Sequence, residues 1–271
     1  MLFLPVLATP AAAACPDDAA VAAFARDFVA DRKTAGLAAD GTLDNATCAR
    51  DKLVTVLAAE LGPKVGYKLA FTSAATQEQF GVDAPVHGVL FRDMLLEDGA
   101  RRPAASTLWE ADLVAVVGDD GIMAATTPEE VVQHLSAVRP FIELPSVAYD
   151  PVTALTVTAA NAGARRGVLG PAVPVETAAA FAQSLADMRV VVTDQTGAEL
   201  ATAEGSSILG NPLEAILVLI DQLDAAETGL EPGALISLGS LTPLTPAKPG
   251  QTITVRYEGL PGTPEVSVGF D

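Results

Sequence analysis

Apolar positions along this chain follow two rhythms, and the change comes near residue 65. Asp17 to Ala35 is Ala-rich and carries Val21, Phe24, Phe28 and Val29 on one side. The i, i+3, i+7 spacing predicts an amphipathic helix. Asp40-Gly41 is a turn signal, and Leu43 to Leu61 predicts a second helix stopped by Gly62-Pro63. Packed as a hairpin, the two would form a small N-terminal element. From Val65 onward, short Val-, Ile-, Leu- and Thr-rich runs alternate with Gly, Pro and Asp turns: VGYKLAF, ADLVAVVG, MRVVVTDQTG, ALISLGS, QTITVRYEG and EVSVGF. These read as strands, and the last two alternate apolar and polar residues as half-buried antiparallel strands do. Thr127 to Val138 and Asn211 to Leu223 predict helices between them, the first with a Thr cap and Pro and Glu in its opening turn. The expected class is α+β, mainly β, with helices outside a strand-rich core.

Composition narrows the classes. Half of the 271 residues are hydrophobic and 18% are charged, enough for a sizeable core and against disorder. No apolar run approaches the roughly 20 residues of a membrane span. A formal net charge of −18 disfavours a nucleic-acid partner, whose phosphates call for a basic surface. Residues 1–14, MLFLPVLATPAAAA, resemble the apolar core and small-residue cleavage site of a secretory signal peptide, although the usual basic start is missing. That reading places the protein in the periplasm or outside the cell. The alternative is an Ala-rich tail on a cytoplasmic protein. Cys15 and Cys48 are the only cysteines. In an oxidising compartment a bridge would tie the start of the mature chain to the second helix, whereas in the cytosol they would be two unpaired thiols.

The segment LWEADLVAVVG, Leu108 to Gly118, is the most informative chemically. Alternate residues of a strand share a face, so Glu110 and Asp112 point the same way. Two adjacent carboxylates are costly to bury unless a cation lies between them, and all-oxygen ligands suit Mg²⁺ or Mn²⁺ better than zinc. A third acid, Glu143, stands among Phe141, Ile142 and Leu144, just after the predicted helix. The competing reading puts Glu110 and Asp112 on a solvated strand edge.

Several motifs recur in a fixed order: GYKLAFTS, GVDAPVHGVLF, WEADLVAVV, PFIEL, ANAGARRGVLG, ILGNP and GSLTP. From about residue 16 to the end, this series resembles that of the 2-keto-4-pentenoate hydratases, within the fumarylacetoacetate hydrolase superfamily. The resemblance implies a fumarylacetoacetase-type β-roll over residues 63–271, preceded by the helical element at 15–62. It also implies a homo-oligomer and a divalent metal held by Glu110, Asp112 and Glu143, where Asp112 replaces a glutamate. Lys68 matches a family lysine that helps handle the 2-keto acid, and an ammonium there can neutralise a carboxylate or a forming enolate. The competing reading makes Lys68 a surface lysine at a strand end.

Departures from the family pattern bear on the chemistry. Where the hydratases carry an acid and an aromatic in an E-P-D-Y-G stretch, this chain has Pro85, Val86, His87 and Gly88. Where they read D-T-V-A-D-N-A, it has Thr156 to Ala162. Family acids are therefore absent, and His87 becomes the candidate proton relay because it titrates near neutral pH. Its competing role is to fill the tyrosine's space. Asn161, Arg166 and Ser240 are candidate substrate contacts, Arg166 as a clamp on a carboxylate. Arg165, the other arginine of the pair, reads as solvated. Thr242 sits with Ser240 where a hydroxyl or backbone N–H could face a ligand, a structural turn role being the alternative. His134 reads as surface. The expected activity is metal-dependent hydration of a 2-hydroxy-2,4-dienoate to a 4-hydroxy-2-keto acid. The rivals are decarboxylation of a vinylogous 2-keto acid and non-catalytic keto-acid binding by an exported paralogue.

Overall fold

A computed structural model describes residues 15–175 and 178–271. The signal-peptide expectation at residues 1–14 lies outside the described residues. The chain opens with helix Asp18–Val29, whose N-cap Asp17 accepts the Ala20 N–H at 2.7 Å. Helix Leu43–Leu61 starts from a reciprocal Thr42–Asn45 capping box. Val21, Phe24 and Phe28 of the first helix are buried, as are Ala46, Ala49, Leu53 and Leu57 of the second. A Cys15–Cys48 disulfide joins the start of the described chain to the second helix.

Three short helices follow that the apolar rhythm does not announce, Ala74–Phe80, Ala154–Ala159 and Ala178–Asp187. The first two begin at Ser73–Thr76 and Thr153–Thr156 capping boxes, so local capping chemistry marks them where periodicity is too short to show. The predicted helix at 127–138 is corrected. It spans only Pro128–Gln133, and Leu135–Val138 already belongs to the strand Leu135–Leu144. The β-branched and aromatic residues of LSAVRPFIEL favour the extended form, and one buried turn, Val131 and Val132, suffices to dock the helix.

A nine-stranded mixed sheet carries the molecule. Its main path runs Val86–Phe91, Lys64–Ala70, Leu235–Ser237, Leu108–Val117, Leu135–Leu144, Arg166–Leu169 and Leu95–Glu97. A five-stranded sheet runs Glu199–Glu204, Arg189–Asp194, Thr252–Glu258, Glu265–Phe270 and Ala100–Arg102. Thr252–Glu258 and Glu265–Phe270 pair antiparallel; the first alternates in burial throughout, as its sequence pattern predicts, and the second does so until its buried end at Val268 to Phe270. The two sheets meet through fully buried Tyr257. Its hydroxyl donates to the Asp112 carbonyl and accepts from the Phe141 N–H at 3.3 Å. A buried phenol would be costly without such partners, so Tyr257 fixes the second sheet against the strand pair that bears Asp112 and Phe141.

Candidate active site

Register decides which side chains meet. Lys68 pairs with Gly88 on one side and with Ser237 on the other, and Ser237 pairs with Val114. Glu110 pairs with Glu143, and Glu143 with Gly167. Directly opposed residues share a face and residues two apart along a strand do too. Lys68, Ser237, Asp112, Glu110 and Glu143 therefore all project from one face of the nine-stranded sheet. All five are buried, Asp112 and Ser237 completely.

The polar groups on this face are unequally satisfied. Asp112 Oδ1 accepts the Leu113 N–H at 2.5 Å and the Gly239 N–H at 2.9 Å, while Oδ2 accepts the Ser237 hydroxyl. Glu110 Oε1 accepts the Ser240 hydroxyl. These contacts come from the turn after Leu235–Ser237, which doubles back over the strand Leu108–Val117. Leu238 N–H and Leu241 N–H donate to the Leu113 and Ala111 carbonyls, and the Thr242 hydroxyl caps the Ala111 N–H at 2.9 Å. Gly239 at φ 123° makes the turn possible, because a Cβ there would stand 1.9 Å from the Thr72 hydroxyl.

Glu143 is treated differently. Lys68 Nζ lies 3.0 Å from its Oε1 and donates to the Ala162 carbonyl at 2.9 Å. Beyond this ion pair, neither buried Glu143 oxygen has a hydrogen-bond partner among the described residues. Burial pushes the Glu143 carboxyl well above the usual range. Lys68 opposes that shift, and Glu110 and Asp112 reinforce it. Burial likewise raises Asp112 to about 7 against the pull of its three donors. For Lys68 the largest single influence is also burial, which acts downward. The combined attraction of Glu143, Glu110 and Asp112 outweighs it, so the net shift is upward and the side chain stays an ammonium at neutral pH. Among the described residues no three Asp, Glu, His or Cys groups are already drawn round one point as a metal cage. Asp112 is engaged by its donors, and Lys68 stands beside Glu143.

The remaining sequence candidates separate. Ser240 joins the acid face through Glu110. Three others do not present a free group to it. His87 opposes Leu69, one position out of phase with Lys68, and so projects from the other side of the hairpin. There its Nδ1 lies 2.6 Å from Gln222 Oε1 and its ring packs edge-on to Tyr67. The proton-relay expectation is corrected on this geometry, because a single strand position changes the face. Asn161 is fully buried, but its amide is consumed in an exchange with the backbone of Val89, accepting at 2.7 Å and donating at 2.9 Å. Its left-handed φ, shared with Ala162 and Gly163, turns the Ala162 carbonyl onto Lys68. Arg166 opposes Leu144, out of phase with Glu143, and its Nη1 pairs with Asp31 at 2.8 Å. It therefore stands away from the acids.

One residue of this face escaped the sequence reading. Ser237, the lone hydroxyl within the apolar run ALISL, engages Asp112, and an isolated polar residue in a buried strand was its signal. Val86 shares the face of Lys68 and presents an apolar group there. The hydroxyls of Thr156 and Thr158 donate to the Pro151 and Ala154 carbonyls at 2.8 Å, so neither restores a proton-carrying group.

Fold and acid face together define a fumarylacetoacetase-type β-roll with a buried carboxylate cluster. The solved 4-oxalocrotonate decarboxylase from Pseudomonas putida G7, complexed with magnesium and adipate, superposes with a TM-score of 0.81 over 96% of this chain and all of that one, at 23% identity. A fumarylpyruvate hydrolase from Pseudomonas aeruginosa in complex with Mn²⁺ and pyruvate superposes at 0.56 over 77% of this chain and 89% of its own, at 15% identity. At these identities the likeness is one of fold. No family model matches the sequence. Among characterised relatives, the 2-keto-4-pentenoate hydratase of Paraburkholderia xenovorans (strain LB400) is 30% identical over 201 residues, covering 72% of this chain and 73% of the relative. A 4-oxalocrotonate decarboxylase of Pseudomonas putida is 27% identical over 203 residues, covering 72% and 74%. The chain belongs to the 2-keto-4-pentenoate hydratase family of the fumarylacetoacetate hydrolase superfamily.

Proposed function

We propose that this protein is a metal-dependent hydratase that adds water to a 2-hydroxy-2,4-dienoate, or its 2-keto-4-enoate tautomer, to give a 4-hydroxy-2-keto acid. The observation that carries the reading is the placement of Glu110, Asp112 and Glu143 on one buried face with Lys68. The residues fit a divalent cation. Every ligand is an oxygen, as Mg²⁺ or Mn²⁺ prefers, and beyond its ion pair with Lys68 Glu143 keeps two buried oxygens without a hydrogen-bond partner among the described residues. Burial also holds the Asp112 and Glu143 carboxyls high, a cost that a cation between them would relieve.

When bound, the metal supplies Lewis acidity toward the 2-oxygen and carboxylate of the substrate. The protein supplies the rest. Lys68 remains an ammonium and so offers fixed positive charge to a substrate carboxylate or to an enolate oxygen as it forms, rather than acting as a base. The Ala162 carbonyl anchors Nζ. Ser240 fixes the Glu110 carboxylate, and Asp112 ties the Ser237–Gly239 turn to the strand beneath it. Burial of these groups keeps bulk water away, which strengthens each electrostatic contact.

Purified protein with Mg²⁺ or Mn²⁺ should deplete the ultraviolet chromophore of 2-hydroxypenta-2,4-dienoate, and removal of the metal should stop it. An unchanged spectrum at equal enzyme and metal would sink the hydratase reading. Val86 favours one other reading, a keto-acid-binding protein that kept the acid face and lost its proton carriers. It would show a metal-dependent thermal shift with pyruvate and no turnover. The Cys15–Cys48 bridge supports placement in an oxidising compartment such as the periplasm.

A further inference from the structure

A cleft of about 650 Å³ opens where the C-terminus of the first helix meets the ends of the strands Leu108–Val117 and Leu135–Leu144. None of Lys68, Glu110, Asp112 or Glu143 lines it. Its walls gather Lys33, Arg102, Arg165 and Arg166, a quarter of the sixteen basic residues of a chain whose net charge is −18. Only Asp31 and Asp150 oppose them there, which leaves two positive charges uncompensated. Like charges do not gather on an acidic protein without something to hold them, and here part of the frame is visible. Buried Arg165 donates to the Phe28 and Val29 carbonyls at the C-terminal end of the first helix, where a cation is favoured, and pairs with Asp31 at 3.1 Å. Asp31 also holds Arg166, so one carboxylate is shared by two guanidiniums.

The other two cations are unspent. Among the described residues, the Lys33 and Arg102 side chains make no hydrogen bond or ion pair, and Arg102 is only partly exposed. Tyr149, 2% exposed, lies in the same wall, and its buried hydroxyl has no hydrogen-bond partner among the described residues. Leu108, Leu144 and Val152 supply an apolar side. The volume suits a small organic ligand, and planar guanidiniums suit carboxylates.

We propose that this cleft binds a small organic dicarboxylate at a site separate from the acid face, with Arg102, Arg166 and Lys33 as the cationic contacts. The uncompensated charge matches a dianion, and the apolar wall favours a carbon chain over a bare inorganic ion. The proposal stands independently of the hydratase reading, because it invokes neither the metal nor Lys68.

The test is calorimetric titration of succinate into the full chain, stripped of metal on a chelating resin so that no carboxylate binds through a cation. Succinate should bind at one site, and inorganic phosphate more weakly. The R102S/K33S double variant should weaken succinate by about 10-fold or more, since two charge-assisted contacts are lost. The E110Q/E143Q variant should bind it as the parent does. The proposal is overturned if succinate gives no heat, if R102S/K33S binds unchanged, or if phosphate binds more tightly. It is also overturned if E110Q/E143Q abolishes the binding, which would place the ligand on the acid face. A change of oligomeric state in R102S/K33S without succinate binding would make the cleft a subunit contact and would equally overturn it.

Discussion

The two faces of the hairpin formed by Lys64–Ala70 and Val86–Phe91 set similar residues to opposite uses. On one face Lys68 is buried among three carboxylates and keeps its proton, because the acids outweigh the burial that would strip it. On the other, one strand position along, His87 is buried beside Arg50 and Gln222. Burial and then the Arg50 charge bring it down from 6.5 to about 4, so it is neutral under ordinary conditions. Burial acts downward on both bases. What differs is whether anions stand close enough to answer it, and strand parity alone decides that. The first face is charged and poised to hold a cation, and the second keeps a neutral imidazole in a hydrogen-bonded wall.

The strongest way to break this contrast is Lys68→Met. It leaves Glu143, Glu110 and Asp112 buried without their cation, and removing one partner of a buried pair costs about 3–5 kcal/mol. Urea denaturation of the metal-free variant at pH 7.5 should show that loss, and Mg²⁺ should recover much of it. Turnover of the dienoate should fall by roughly 10²–10³, the scale of losing one electrostatic stabiliser. A comparable loss of turnover in His87→Phe would mean that the faces are not distinct.

The acid face should also reveal itself through pH. Asp112 and Glu143 have raised pKa values in the folded state, so they bind protons that the unfolded chain has already released. Their contribution is fully present below the ordinary carboxylate range near 4; that of Asp112 is lost as pH rises through about 7, and that of Glu143 is likewise lost on raising the pH above the ordinary carboxylate range. Metal-free protein should therefore lose stability between about pH 6.5 and 8, above the window in which His87 acts in the opposite sense, by on the order of a few kcal/mol, and saturating Mg²⁺ should flatten or reverse that slope. A metal-free stability that rises steadily across this range would contradict the buried acids.

His87 has the opposite sign. Its folded-state pKa is depressed, so the unfolded chain takes up a proton first and stability falls as pH drops from about 6.5 towards 4, by up to about 3 kcal/mol. His87→Phe should remove this acid limb and leave turnover within about threefold of the parent, since the ring faces away from the carboxylates. Denaturation of both proteins at pH 7 and pH 4.5 reads the difference.

Much of the acid face was legible in the sequence because it depends on a period of two within single strands. Glu110 and Asp112 alternate within one run, and Glu143 lies among apolar neighbours in another. The errors arose wherever position depended on pairing between strands. Lys68 and His87 occur in separate motifs, and neither motif states that Lys68 opposes Gly88 instead of His87. Arg165 and Arg166 follow one another in a loop whose exit strand sets Arg166 against Leu144, and no local rule fixes that register. The Asn161 amide is consumed by the backbone of Val89, a long-range pairing that its motif does not state. The helix at 127–138 failed for another reason. Its cap was read correctly, yet the strand that follows competes for the same residues.

Gln222→Leu gives the finest test of the contrast, because it alters the neutral face without touching its histidine. Gln222 Oε1 accepts the His87 Nδ1–H at 2.6 Å, and its amide nitrogen donates to the Pro85 carbonyl at 2.8 Å. Loss of both should cost about 1–2 kcal/mol at pH 7, where His87 is neutral in either state. Gln222 also counts among the groups that raise the His87 pKa, so its removal lets that pKa fall further. The acid limb of stability should then extend to lower pH and deepen slightly, while turnover stays at the parental level. Urea midpoints at pH 7, 5.5 and 4.5 would resolve the change. A shallower limb than the parent's would mean that Gln222 disfavours the protonated ring, and that the wall around His87 is held by charge rather than by its hydrogen bonds.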